Sequence, residues 1–206
     1  AVRDAEIDAV DLQRTVDRAA RPRQRAFGRR RRGDLDLAEG ELHSRIAIAL
    51  VDSMFAPLSS AEQVVVARAA NDAGVTARAA TGFAAVERDL DPQNRYAYAM
   101  VLLRLDRDAE AMAQLAKVPA TSTVGPLAAY QLGRTQLRAG QTTAGRTALR
   151  KVVHALPRDT SAAAPALFLL ADLASDEGRD REARSGFEEM AARFPTSDLA
   201  PVALFR

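Results

Sequence analysis

Apolar residues recur through residues 164–195 at helical spacing. Leu167, Leu170, Ala171 and Ala174 follow one another at steps of three, one and three, one face of a helix at 3.6 residues per turn. Gly178 interrupts that stripe. A second stripe, Ala183, Phe187, Met190 and Ala191, begins after Asp180-Arg181-Glu182 and stops at Pro195, as expected where proline removes a backbone donor. The pattern predicts two antiparallel helices joined by a tight turn. Ala171 and Ala183 are small, and helices joined by a short turn approach closely only where side chains are small.

Three earlier segments carry the same pattern. The first small residue recurs as Ala67, Ala99, Gly133 and Ala171, the turn as Gly74, Asp106, Gly140 and Gly178, the second small residue as Ala79, Ala111, Gly145 and Ala183, and a large apolar residue as Phe83, Leu115, Leu149 and Phe187. All four columns step by 32, 34 and 38 residues, which predicts a repeated helix-turn-helix unit. Pro92, Pro157 and Pro195 close the first, third and fourth units, and Pro119 cuts the second short.

Before the first unit, Leu42, Ile46, Leu50 and Met54 fall at steps of four, flanked by Ile48 and Val51. This predicts a buried leading helix ended by Pro57. Ser59, followed three residues later by Glu62, has the form of a capping box and marks the start of the array. Ile7, Val10 and Val16 form a thin stripe within residues 4–20. After them come Arg21, Arg23, Arg25 and Arg29 to Arg32, with no acid among them. Such a run can attract phosphate, anionic lipid or an acidic partner, but with Phe27 as its one aromatic it reads as a solvated linker rather than a nucleic-acid surface.

The recurring small, turn and closing-proline positions resemble the tetratricopeptide (TPR) repeat family from about residue 59 to 206. The aromatic often found early in that family's first helix is replaced by Gln63, Arg95, Ala129 and Leu167. The resemblance implies an all-α, right-handed solenoid of antiparallel helical hairpins. The units are expected at 59–92, 92–119, 125–157 and 163–195, with a fifth starting at 198–206; residues 36–58 form the leading helix, and 1–35 an N-terminal helix and basic linker. In such arrays the first helices line a concave groove. Carried over by position, the lining is Arg68 and Asn71, then Tyr96, Met100 and Arg104, then Tyr130, Arg134 and Arg138, then Phe168 and Asp172. That groove would be basic and aromatic in its middle and acidic towards Asp172 and Asp176, suited to an acidic peptide or a glycan bearing carboxylates. Adjoining arginine and aromatic side chains are also enriched at binding hot spots.

The segments AAYQLGRTQLRAG and FLLADLASDEGRDREARSGF are further similar to periplasmic repeat proteins, above all to the helical region of soluble lytic transglycosylases. That likeness implies an envelope location, periplasmic rather than cytoplasmic, and offers peptidoglycan as an alternative partner. The acid of those enzymes is a glutamate followed by serine, and no Glu-Ser pair occurs in this chain.

Composition narrows the chemistry. The 206 residues are 48% hydrophobic and 27% charged with a net charge of +2, ordinary for a globular chain and no argument for nucleic acid. Cysteine is absent, so neither a disulfide framework nor a thiolate metal site can form. His43 and His154 each stand alone, whereas zinc needs three or four clustered ligands, and the glycines do not form a phosphate loop. The pairs Glu39/Glu41 and Glu188-Glu189 read as solvated faces, because adjacent helical residues point about 100° apart and glycoside chemistry needs two carboxyls facing one substrate. No stretch approaches the roughly 20 apolar residues of a membrane span. The expectation is a scaffold without catalytic residues or cofactor that binds a protein or peptide; the alternative is a helical region that positions glycan strands for a transglycosylase.

Overall fold

The computed structural model describes residues 45–53, 57–155 and 161–206, whose regular structure is helical throughout. The expectations for residues 1–35, including the basic run Arg21 to Arg32, lie outside the described residues. So do those for Glu39, Glu41, Leu42, His43, Met54 and Pro157.

The chain divides into two compact units, Ala1–Asp106 and Arg107–Arg206. In the first, α1 (residues 45–53) precedes α2 (Ser60–Asp72), α3 (Thr76–Ala85), a 3₁₀ turn (Glu87–Asp89) and α4 (Pro92–Arg104). The second holds α5 (Asp108–Ala116), α6 (Gly125–Arg138), α7 (Thr142–Ala155), α8 (Ala163–Asp176), α9 (Asp180–Arg193) and α10 (Ala200–Phe205). Helices α2 and α3, α6 and α7, and α8 and α9 pack as hairpins.

Local chemistry sets the starts and turns. At α2 the Ser59 N–H donates to the Glu62 carboxylate at 2.7 Å while Ser59 Oγ accepts from the Glu62 N–H. The Ser59 hydroxyl and backbone N–H together hold the Glu62 carboxyl below its ordinary pKa. At α4, Asp91 accepts from the backbone of Gln93 and Asn94, both at 2.9 Å, with Pro92 in the first helical position, where its missing donor costs nothing. The four turn positions all have positive φ: Gly74 69°, Asp106 55°, Gly140 75° and Gly178 70°. At the three glycines the chain closes with paired bonds, for example Val75 N–H to the Ala70 carbonyl at 2.8 Å and Gly74 N–H to the Asn71 carbonyl at 3.1 Å, the Schellman arrangement that glycine permits.

The repeated columns are interior. Ala67, Ala99 and Ala171, Ala79, Ala111 and Ala183, and the large residues Phe83, Leu115, Leu149 and Phe187 are all at most 5% exposed. In the α2–α3 and α8–α9 hairpins a glycine one residue before the large position meets the first small residue. A Cβ on Gly82 would lie 2.8 Å from that of Ala67, and one on Gly186 2.8 Å from that of Ala171. In the α6–α7 hairpin the pair is reversed: Gly133 is on the first helix and Ala148 on the second. Gly145 also faces the first helix, since a Cβ there would meet the Gly133 carbonyl oxygen at 2.8 Å.

The leading helix corrects its predicted face. Ile46 and Leu50 are 48% and 52% exposed, whereas Ile48 and Val51 are buried. The side that meets the rest of the unit carries Asp52, which Arg78 of α3 grips with two bonds of 2.6 Å. Its position one residue from Val51 turns the four-step stripe outward.

Candidate binding faces

In the first unit, Arg68 and Arg104 are exposed, and Asn71, Tyr96 and Met100 are half-buried. Arg104 donates to the Asn71 side-chain oxygen, clasping α4 to α2, so both groups are engaged within the unit. Arg68 lies near Asp91. Burial pushes the Asp91 carboxyl up, but hydrogen bonds from Asn94 and Gln93 and the attraction of Arg68 outweigh it and leave the pKa lowered. Tyr98, two residues after Tyr96, goes to the other side of α4: it is 3% exposed and its ring lies 5.8 Å from that of Phe83.

In the second unit, Arg134 and Arg138 are exposed, and Tyr130, Phe168 and Asp172 are half-buried. Arg138 of α6 holds Asp108 at the start of α5 through Nε at 2.9 Å and a second bond from Nη2. Asp172 pairs with Arg206 at 3.2 Å. The Phe168 ring stands edge-on to Phe187 at 5.3 Å and packs against the core of the α8–α9 hairpin. Tyr130 rests against the cluster of Leu149, Val152, Ala162 and Ala166. One turn further along α6, Arg134 is exposed and makes no ion pair among the described residues.

The predicted lining therefore separates into groups that serve the array and groups that are available. Arg104, Arg138, Phe168 and Asp172 spend their bonding or contact within their own unit. What remains outward in the second unit is a guanidinium beside a phenol held at a fixed height by its packing, able to accept a carboxylate bidentately and to stack on a planar group.

Pattern reading did not anticipate the charge chain on the second helices. Arg146 of α7 pairs with Glu177, which also pairs with Arg179; Arg179 pairs with Glu182, which reaches Arg150 of α7 at 3.4 Å. Desolvation opposes ionisation of Glu177, but Arg179 and Arg146 overcome it and keep its carboxyl below the ordinary value. The available signal was the row Arg146, Arg150 and His154 at steps of four in a helix without an acid. His154, Glu188 and Glu189 are exposed. Among the described residues no group of three or more His, Cys, Asp or Glu could hold a metal, and no helix is long and apolar enough to cross a membrane.

The tetratricopeptide repeat family matches at residues 127–158 and 165–197. No curated protein matches the sequence. Among solved structures, MamA from Desulfovibrio magneticus is similar at 20% identity, covering 94% of this chain and 99% of that one with a TM-score of 0.64. YrrB, a TPR protein with an unusual peptide-binding site, is similar at 14% identity, covering 97% and 93% with a TM-score of 0.62. The kinesin light chain TPR-like repeats of Podosopora anserina show 15% identity, coverage of 92% and 96%, and a TM-score of 0.62. At these identities the likeness establishes the fold. Residues 127–158 and 165–197 match the tetratricopeptide repeat family, and the chain has the all-α helical-hairpin fold of tetratricopeptide repeat structures.

Proposed function

We propose that this chain is a scaffold that binds a protein or peptide through the outward faces of its first helices, with Arg134 and Tyr130 as the anchor in the second unit and Arg68 and Tyr96 in the first. The observation that carries this reading is Arg134: it is exposed and unpaired among the described residues, while Arg138 and Asp172 of the same unit are committed to internal partners. The peptide-binding role named for YrrB supports a peptide occupant. An acidic segment fits best, because it would satisfy the guanidinium and lay a flat group on the tyrosine. Nothing in the geometry favours the glycan-positioning alternative. A periplasmic site of action belongs to the same proposal, and fractionation of the source cells with an antibody to the chain tests it.

The test is a selection of displayed peptides against the full chain, repeated with Arg134→Glu and with Arg184→Glu on the exposed side of α9. Peptides lost with the first variant and kept with the second support the reading. Equal retention by both variants contradicts it.

A further inference from the structure

A cleft of about 490 Å³ lies within the second unit, on the side where the second helices α7 and α9 flank α8. That volume falls in the range of ligand-binding pockets. Its floor is apolar: Leu167, Leu170 and Ala171 of α8, with Val153 of α7. Its α7 wall presents Arg146, Arg150 and His154 one turn apart, and α7 contains no acid along Thr142–Ala155. The α9 wall carries Glu182, Glu189 and Arg193, with Gly186 adding no side chain between them.

The charges are unequally committed. Arg146 is held by Glu177, and Arg193 by Glu189 and, at 3.3 Å, by the Val153 carbonyl. Arg150 reaches Glu182 at 3.4 Å, while Glu182 is gripped more closely by Arg179. The Arg150 side chain stays 60% exposed, so the Glu182 contact, which crosses the cleft, is a weak pair screened by solvent and yields to a better acceptor.

We propose that this cleft is a second docking site, separate from the first-helix faces, for an acidic peptide segment with apolar side chains. Its carboxylates take the spare donors of Arg150 and the imidazole of His154. Its apolar side chains cover Leu170 and Val153, both half-buried in the free chain. A basic peptide is disfavoured because it would meet the acid-free α7 wall, while Glu182 and Glu189 on the α9 wall are already held by Arg179 and Arg193.

Fluorescence anisotropy on the full chain tests this with a short fluorescein-labelled peptide of leucines among glutamates and its leucine–lysine counterpart. The glutamate peptide is expected to bind and the lysine peptide not. Arg150→Glu should weaken binding about tenfold or more, and Leu170→Ser about threefold or more. Val153→Thr probes the same floor if Leu170→Ser unfolds the unit by circular dichroism. Arg184→Glu, exposed on α9 and outside the cleft lining, should leave the affinity unchanged. The proposal is overturned if neither peptide binds or both bind equally, or if Arg184→Glu abolishes binding while Arg150→Glu does not. It is equally overturned if the floor variants fold and change nothing, because the contact is then charge attraction alone. Binding that persists without any dependence on Arg150 leaves the first-helix reading standing, since Arg134 is not part of the cleft.

Discussion

Gly186 shows how single residues set the spacing of the hairpins. Its missing Cβ lets α9 reach Ala171, and in the α6–α7 hairpin the glycine of the corresponding pair, Gly133, stands on the opposite helix. Gly186→Ala is therefore expected to cost about 1–3 kcal/mol through overpacking. The double variant Ala171→Gly/Gly186→Ala, which copies the Gly133/Ala148 order, should recover most of that loss; urea unfolding of the three proteins measures both, and purely additive costs would refute the pairing. Gln136 makes a second case. Its side-chain oxygen is buried without a partner, while the same register elsewhere holds the buried Ala70, Leu102 and Ala174. Relieving an unsatisfied buried acceptor is worth about 1–3 kcal/mol, so Gln136→Leu should raise the melting temperature; a lower one would mean that the amide is satisfied in solution.

At the scale of the element, helix starts and turns were legible because their causes lie within a few residues. Ser59 and Glu62 form the box their spacing announces, and Gly74, Gly140 and Gly178 turn the chain where a left-handed residue is needed. The face of α1 was not legible. A four-step stripe and a three-step pair overlap there, and the choice is made by Arg78, 26 residues away from Asp52. The same holds for the candidate site. Position along the first helices located its residues, but Asn71 and Asp108, at separations of 33 and 30 residues, decide that Arg104 and Arg138 are already engaged. The Asp91 cap gives a pH test. Its folded pKa lies below the unfolded value near 4, so its contribution is present above that value and is lost as pH falls through the folded one. Asp91→Asn keeps a good cap, and should match the parent within about 0.5 kcal/mol at neutral pH while losing less stability on acidification to about pH 3. Identical acid losses would remove Asp91 from the account.

Across the whole molecule, buried columns of small and large apolar residues build the hairpins, short-range ion pairs tie neighbouring helices within each unit, and a few outward groups are left for recognition. Phe187→Ala, which empties the α8–α9 core and removes the edge contact to Phe168, should cost about 3–5 kcal/mol. Arg134→Ala, on an exposed position, should change stability by no more than about 0.5 kcal/mol. Structural and recognition residues are thereby separable. The most direct test measures the affinity of a peptide selected on the full chain, titrated against the parent, Arg134→Ala and Arg184→Ala by anisotropy. Arg134→Ala is expected to lose about tenfold or more in affinity at unchanged melting temperature, with Arg184→Ala like the parent. Equal affinity of all three proteins would contradict it.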